Sequence, residues 1–423
     1  MALLALVPAL LAGLALQSVA AHAVDCLVNP IPCENQLPGT APSVWDTPNG
    51  DAGNPGIQGF ATDISVNVGQ TVSFKINSTT FTSYTIDIYR IGYYQGNGAR
   101  KVATVSPTAA LPQSQPACLT DASTLNTGLV DCGNWAVSAS WSVPSTAVSG
   151  VYFARLTTPS GAASQIVFIV RNDASTSDIL FRTADTTWVA YNDFGGNNLY
   201  YGSAPTSNGR AYKVSYNRPF NLRSELAGYG TSNFVFYGEY PMVRFLEANG
   251  YNVSYSTSVD LVRHANLLTN HRVLLSAGHD EYWSNEMRSA IQGARDLGVN
   301  IANFTGNEDF WKTRWENSID GSGTPDRTLV TYKETLDNKV NDPADPPTWT
   351  GSWRDPRFSP PADGGRPENQ LGGTIFTVNR GSTADTLAAA FARLRFWRNT
   401  PVAGLTGSNT ITLGDQTVGY EWD

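Results

Sequence analysis

Histidine, cysteine and methionine are all scarce in this chain of 423 residues, at four, four and three copies. No H-E-x-x-H, G-x-S-x-G, C-x-x-C or G-x-x-x-x-G-K-S/T spacing occurs. The zinc-protease, serine-hydrolase, thiol-redox and P-loop chemistries served by those spacings are therefore set aside. Cys26, Cys33, Cys118 and Cys132 all lie in the N-terminal third, so no cysteine nucleophile is available farther along. Positive charge is also sparse: 28 Lys and Arg stand against 36 Asp and Glu, a net charge of −8, with no cationic cluster. A nucleic-acid partner is not expected from such a balance. After residue 16 no apolar run approaches the ~18 residues of a membrane span, so none is expected. With 38 Gly and 24 Pro the chain is neither collagen-like nor of disordered composition.

What is present starts with the apolar run Leu3–Leu16, followed by Ala21-His22-Ala23, an A-x-A-like cleavage site. Residues 1–23 read as a secretory signal peptide, although no Lys or Arg follows Met1, and the mature protein is expected to be secreted. An even cysteine count in an exported chain implies disulfides. The pairing Cys26–Cys33 and Cys118–Cys132 closes the shortest loops and is the expected one.

Residues 24–56, rich in Pro, Gly and Asn, read as an irregular arm. Residues 57–172 hold alternating runs such as Val72-Ser73-Phe74-Lys75-Ile76, and read as a β-sandwich of immunoglobulin-like type. A short polar linker, 173–177, leads to an α/β region over 178–423. There Ile179-Leu180-Phe181, Tyr251–Tyr255, Val273-Leu274-Leu275 and Val299–Phe304 read as strands, and Pro241–Asn249 as a helix. A second helix follows Ser284, with Met287, Ala290, Ile291, Ala294 and Leu297 on one face and Gly298 as its stop. The alternation predicts a mostly parallel sheet. Segment 318–372 reads as long surface loops, and no internal repeat is present.

Ligands of such sheets bind at the carboxyl ends of the strands. That rule selects the loops after Phe181, around His279-Asp280-Glu281 and at Gly306-Asn307-Glu308. Three ionisable groups in one turn after a buried strand are costly unless paired or metal-bound. Alternatively, His279 and Asp280 cap the next helix. Tyr191-Asn192-Asp193-Phe194-Gly195-Gly196-Asn197-Asn198-Leu199-Tyr200 is a second cluster, whose two glycines allow both tyrosines to turn to one point. They equally suit ordinary loop aromatics. Glu239 precedes a helix, where a carboxylate is favourable. It also offers, with Asp280 or Glu281, the carboxylate pair of a glycoside hydrolase. Three scattered mature histidines argue against a His-rich zinc site, so a metal here would take mainly oxygen ligands.

Three segments carry a resemblance: Thr186-Thr187-Trp188 through Ala190-Tyr191-Asn192 to Leu199-Tyr200; Leu275 to His279-Asp280-Glu281-Tyr282-Trp283; and Gly306-Asn307-Glu308-Asp309-Phe310-Trp311. Over roughly 178–423 the chain resembles the catalytic domain of the N,N-dimethylformamidase large (β) subunit family. The resemblance implies a glutamine-amidotransferase-like α/β domain without a cysteine nucleophile, carrying one Fe3+ per chain and hydrolysing an amide-like C–N bond. It implies Tyr191, Tyr200 and Glu281 as metal ligands, and His279, Asn307, Lys333 and Glu421 as catalytic residues. Asp280 stands where that family commonly has Pro. The amidase has a small partner subunit that this chain does not contain, and the room for an oligomer stays open. Relatives continue past Asp423, so the chain is read as partial. The alternative function is an exported glycan- or cell-wall-binding protein with an inactive α/β domain.

Overall fold

The computed structural model describes residues 25–47, 53–123, 125–204, 206, 209–223, 233–345, 347–357, 365–377, 382–414 and 418–419. The expected signal peptide lies outside them. Cys26–Cys33 and Cys118–Cys132 are both disulfides. The arm is more ordered than its composition suggests. It forms α1 (Pro30–Glu34), capped by the Asn29 side chain on the Ile31 amide, and α2 (Pro42–Trp45). Proline at the first helical position sets φ without losing a hydrogen bond, which is how so proline-rich a stretch forms helical turns. Ile31 and Trp45 are both buried.

Ten strands follow: β1 (Gln58–Ala61), β2 (Ser65–Asn67), β3 (Thr71–Asn77), β4 (Thr85–Ile91), β5 (Ala99–Val105), β6 (Leu119–Thr120), β7 (Val130–Asp131), β8 (Ala139–Ser142), β9 (Gly150–Thr157) and β10 (Ala163–Arg171). One sheet has the order β1-β3-β8 and a second the order β2-β10-β9-β4-β5. Both are antiparallel, except that β2 runs parallel to β10. Side chains alternate between the faces of a strand. Tyr152, Ala154 and Leu156 of β9 join Ile166, Phe168 and Val170 of β10 in a core with Val72, Phe74 and Ile76 of β3. Val151, Phe153, Val167 and Ile169, on the opposite face, enter a second core with Phe181, Trp188 and Val243. The five-stranded sheet is thus buried on both sides, which is why β10 reads as a nearly continuous apolar run.

The rest of the chain supplies β11 (Ile179–Arg182), α3 (Asp185–Tyr191), β12 (Lys213–Ser215), α4 (Tyr240–Ala248), β13 (Val253–Ser256), α5 (Ser258–Arg263), β14 (Val273–His279), β15 (Tyr282–Ser284), α6 (Asn285–Asp296), β16 (Asn300–Gly306), β17 (Trp311–Glu316), β18 (Thr328–Val330) and α7 (Glu334–Asp337). Strands β13-β11-β14-β16 form a wholly parallel sheet in that order. A further sheet, β12-β18-β17-β15, stands beside it. The molecule is a mixed, sheet-rich, multidomain protein.

Two expectations need correction. Ser284 does cap α6, accepting the Met287 amide at 3.3 Å, and Met287, Ile291 and Ala294 are buried. Leu297, however, is the C-cap and 78% exposed, because Gly298 turns the backbone left-handed (φ 101°) at once. Segment 318–372 is not all surface loop. It holds β18 and α7, and buries Trp349, Trp353 and Lys333. Elements of three or four residues are too short to show a period, so the Gly and Pro around them dominated the pattern.

Candidate active site

In the parallel sheet the chain runs from β11 outward to β13, then crosses back over β11 to β14 and on to β16. The order reverses between β11 and β14, and a crevice opens at the carboxyl ends of strands at such a switch point. α3 begins immediately after β11 and delivers Tyr191 in its last turn. The Glu239 carboxylate accepts the Ala184 amide (3.1 Å) and the Trp188 indole N–H (2.8 Å). Burial pushes this carboxyl up to about 8, opposed by those two donors. Asp185 accepts from the Ser258 amide (2.6 Å) and the Tyr216 hydroxyl (2.8 Å), and burial raises it to about 6. Both acids are therefore occupied in fixing α3.

The loop after α3 folds back on the helix. Gly195 takes φ 85°, and a Cβ there would meet Val130 at 2.7 Å, so this turn requires glycine. Arg218 donates to the Phe194 (2.9 Å) and Asn197 (2.8 Å) carbonyls. The buried Asn198 side chain donates to Tyr191 O (3.2 Å) and accepts the Tyr200 amide (2.8 Å). Tyr200 consequently stacks on Tyr191, with ring centroids 4.4 Å apart.

Both phenols end on one carboxylate. The Tyr191 hydroxyl donates to Glu281 Oε2 at 3.1 Å, and Tyr200 lies 2.5 and 2.6 Å from the two oxygens. Trp311 Nε1 donates to Oε1 at 2.8 Å. The Glu281 backbone is held by the Thr187 hydroxyl on its amide (3.0 Å) and the Trp311 amide on its carbonyl (2.9 Å). Tyr282 donates to the Tyr200 oxygen at 2.6 Å, and Lys333 Nζ to the Tyr282 oxygen at 2.7 Å. The same Nζ lies 3.5 Å from the Tyr200 ring centroid. Burial, followed by the Glu281 carboxylate, holds the Tyr200 phenol well above its ordinary value.

His279 closes β14, where Gly278 (φ 92°) packs against the Gly238 backbone. Its Nδ1 contacts Asn233 Oδ1, and its Nε2 lies 3.6 Å from Glu281 Oε2. Asn307 directly follows Gly306, the register partner of His279. It is buried, in the left-handed region (φ 52°), and its Oδ1 has no hydrogen-bond partner among the described residues. Glu421 lies outside the described residues.

Asp280 does not cap α6, and it offers no cleft carboxylate for glycoside chemistry. It is fully buried and paired with Arg182. Tyr282, Trp311, Thr187 and Asn233 are contacts that sequence reasoning did not assign to the site. The first three stand inside the three segments that carried the resemblance. Asn233 has no local signal at all. Among the described residues no three His, Cys, Asp or Glu side chains converge in a metal-binding group. The convergent set is phenolic.

Against known families, the model for "N,N-dimethylformamidase beta subunit-like, C-terminal" matches residues 85–423. The match opens at the first residue of β4, so it takes in all of the five-stranded sheet except β2 and reaches well upstream of residue 178. No curated protein matches the chain.

Proposed function

The chain belongs to the N,N-dimethylformamidase beta subunit-like family, and from that premise we propose that it is an exported amidohydrolase using one ferric ion held by Tyr191, Tyr200 and Glu281. The observation that carries the reading is the convergence of two phenols on one buried carboxylate. These are hard oxygen donors, and once ionised they bring three negative charges to a trivalent ion. Two phenolic protons that now bridge to Glu281 occupy the space a cation would share. His279 Nε2 faces the same carboxylate. The donor set therefore fits the metal.

When bound, ferric iron supplies a Lewis acid for the amide carbonyl and for water. The protein's own groups do the rest. Thr187 and Trp311 fix the Glu281 backbone and carboxylate. Lys333, through Tyr282, holds the Tyr200 oxygen in place. His279, oriented by Asn233, holds a proton at Nε2 for the leaving amine. Asn307 offers its carboxamide to the developing oxyanion at the end of β16. Glu421 keeps its role as a further proton carrier on the resemblance alone.

The finer fold reading belongs with this proposal. Two antiparallel sheets sharing one core support an immunoglobulin-like sandwich, and the parallel order β13-β11-β14-β16 supports an amidotransferase-like layer. The domain limits 57–172 and 178–423 go with it. Export rests on the leader sequence together with two disulfides. Among the described residues no helix is long and apolar enough to cross a membrane. The family match lends nothing to a glycan-binding scaffold.

Elemental analysis and visible absorption of the mature protein test the proposal. About one iron per chain is expected, with a tyrosinate-to-iron charge-transfer band that Tyr200→Phe weakens. Amine release from N,N-dimethylformamide is the accompanying assay. Protein that stays colourless and metal-free after iron loading would overturn the ferric reading.

A further inference from the structure

Asp280 sits between His279 and Glu281, yet its side chain serves a different partner. Its carboxylate accepts Arg182 Nη1 at 2.9 Å and also contacts Arg182 Nη2. Neither residue is exposed. Arg182 is the last residue of β11, in register with Ser256 of β13 and Ser276 of β14. It also donates to the Ser258 hydroxyl at 3.0 Å, and its guanidinium lies 4.9 Å from the Trp283 ring. The Asp280 carbonyl accepts the Asp309 amide at 3.1 Å. Segment 280–283 is thus tied to the central strand on both sides of Glu281.

We propose that Arg182 and Asp280 form a positioning pair that sets the Glu281 carboxylate against Tyr191 and Tyr200. The inference rests on reading Glu281 as the functional carboxylate. A buried ion pair is weak support for stability, since well-packed apolar residues of similar volume replace such pairs at little cost or with gain. A bidentate guanidinium–carboxylate contact does fix distance and direction. Glu281 must meet three donors from two separate segments, Tyr191 and Tyr200 on one and Trp311 on the other. A turn free to shift by an ångström would lose that arrangement. Arg182 contacts none of the three, so it acts through Asp280.

Two variants separate positioning from mere stability. Arg182→Met/Asp280→Leu fills the space without charge. Arg182→Lys keeps the charge and loses the fork. In each, 3-fluorotyrosine at position 200 reports the Glu281 contact by 19F NMR of the metal-free protein. The expected result is wild-type melting of the apolar double variant with a displaced 19F resonance. On iron loading the charge-transfer band weakens, and kcat on N,N-dimethylformamide falls roughly tenfold or more at unchanged KM. An unchanged resonance in whichever variant folds would overturn the proposal. Failure of both to fold would make the pair structural and overturn it equally. Wild-type protein that binds no iron would remove the metal reading while leaving the 19F comparison intact.

Discussion

Glu247 and Glu281 are both buried glutamates, each 2% exposed, yet their partners differ in kind. Glu247, on α4, takes Arg90 of β4 through two contacts at 2.7 and 2.9 Å, with Tyr255 and Asn35 completing its shell. A cation neutralises it, and the pair joins the five-stranded sheet to the α/β layer. Glu281 takes two phenols and an indole, with an imidazole at 3.6 Å. Its hydrogen-bond donors among the described residues are neutral groups rather than a guanidinium. A carboxylate buried in that way is costly unless something cationic arrives. On the reading proposed above, one glutamate completes an ion pair and the other is prepared for a ligand.

Removing each charge in turn is the sharpest way to break this contrast. Glu281→Gln is expected to abolish both iron uptake and amide hydrolysis while leaving the melting temperature near wild type; metal analysis and calorimetry check it. Glu247→Gln should do the reverse. It leaves Arg90 buried without its counter-charge and costs about 3–5 kcal/mol in urea unfolding, with iron still bound by the fraction that folds.

Smaller effects sharpen the picture away from these two sites. Cys118–Cys132 closes a loop with a sequence separation of 14. Replacing both cysteines by serine is expected to cost about 3 kcal/mol, read as a shift of the urea midpoint without loss of the visible band. Glu239 differs in that its effect depends on pH. Burial raises its carboxyl from an ordinary 4.5 to about 8. Below pH about 4.5 folded and unfolded chains both hold the proton, and stability is unaffected. Between that value and about 8 only the unfolded chain has released it, so stability declines as pH rises through this window. Glu239→Gln keeps an acceptor for Ala184 and Trp188 and should flatten the decline, seen by comparing urea midpoints at pH 5 and 8.

The legible parts of the chain share a physical basis. Alternation in Val72–Ile76 and the apolar run at Val273 announce strands because burial selects side chains at a fixed period. Ser284 and Gly298 mark the ends of α6 because capping is local chemistry. Of the three loops chosen by the strand-end rule, two contain Glu281 and Asn307, and the one after Phe181 leads into α3, whose last turn carries Tyr191. The sheet β12-β18-β17-β15 was not legible. Its strands have three to six residues, and β12 pairs with β18 across more than a hundred positions, Lys213 with Val330. Lys333 lies in a segment whose composition reads as surface loop, yet it is fully buried.

The chain by itself determined the longer periodic elements, which cysteines pair and which side chains have suitable chemistry, because each of these follows from period, spacing or residue type. Tertiary structure alone decided their partners. It gave Asp280 to Arg182 and Glu281 to two tyrosines, although the two acids are neighbours in sequence. Adjacent residues at the end of a strand point in different directions, and what each meets depends on segments tens of residues away. That separation gives one acid a guanidinium and the other two phenols, the set on which the proposed site is built.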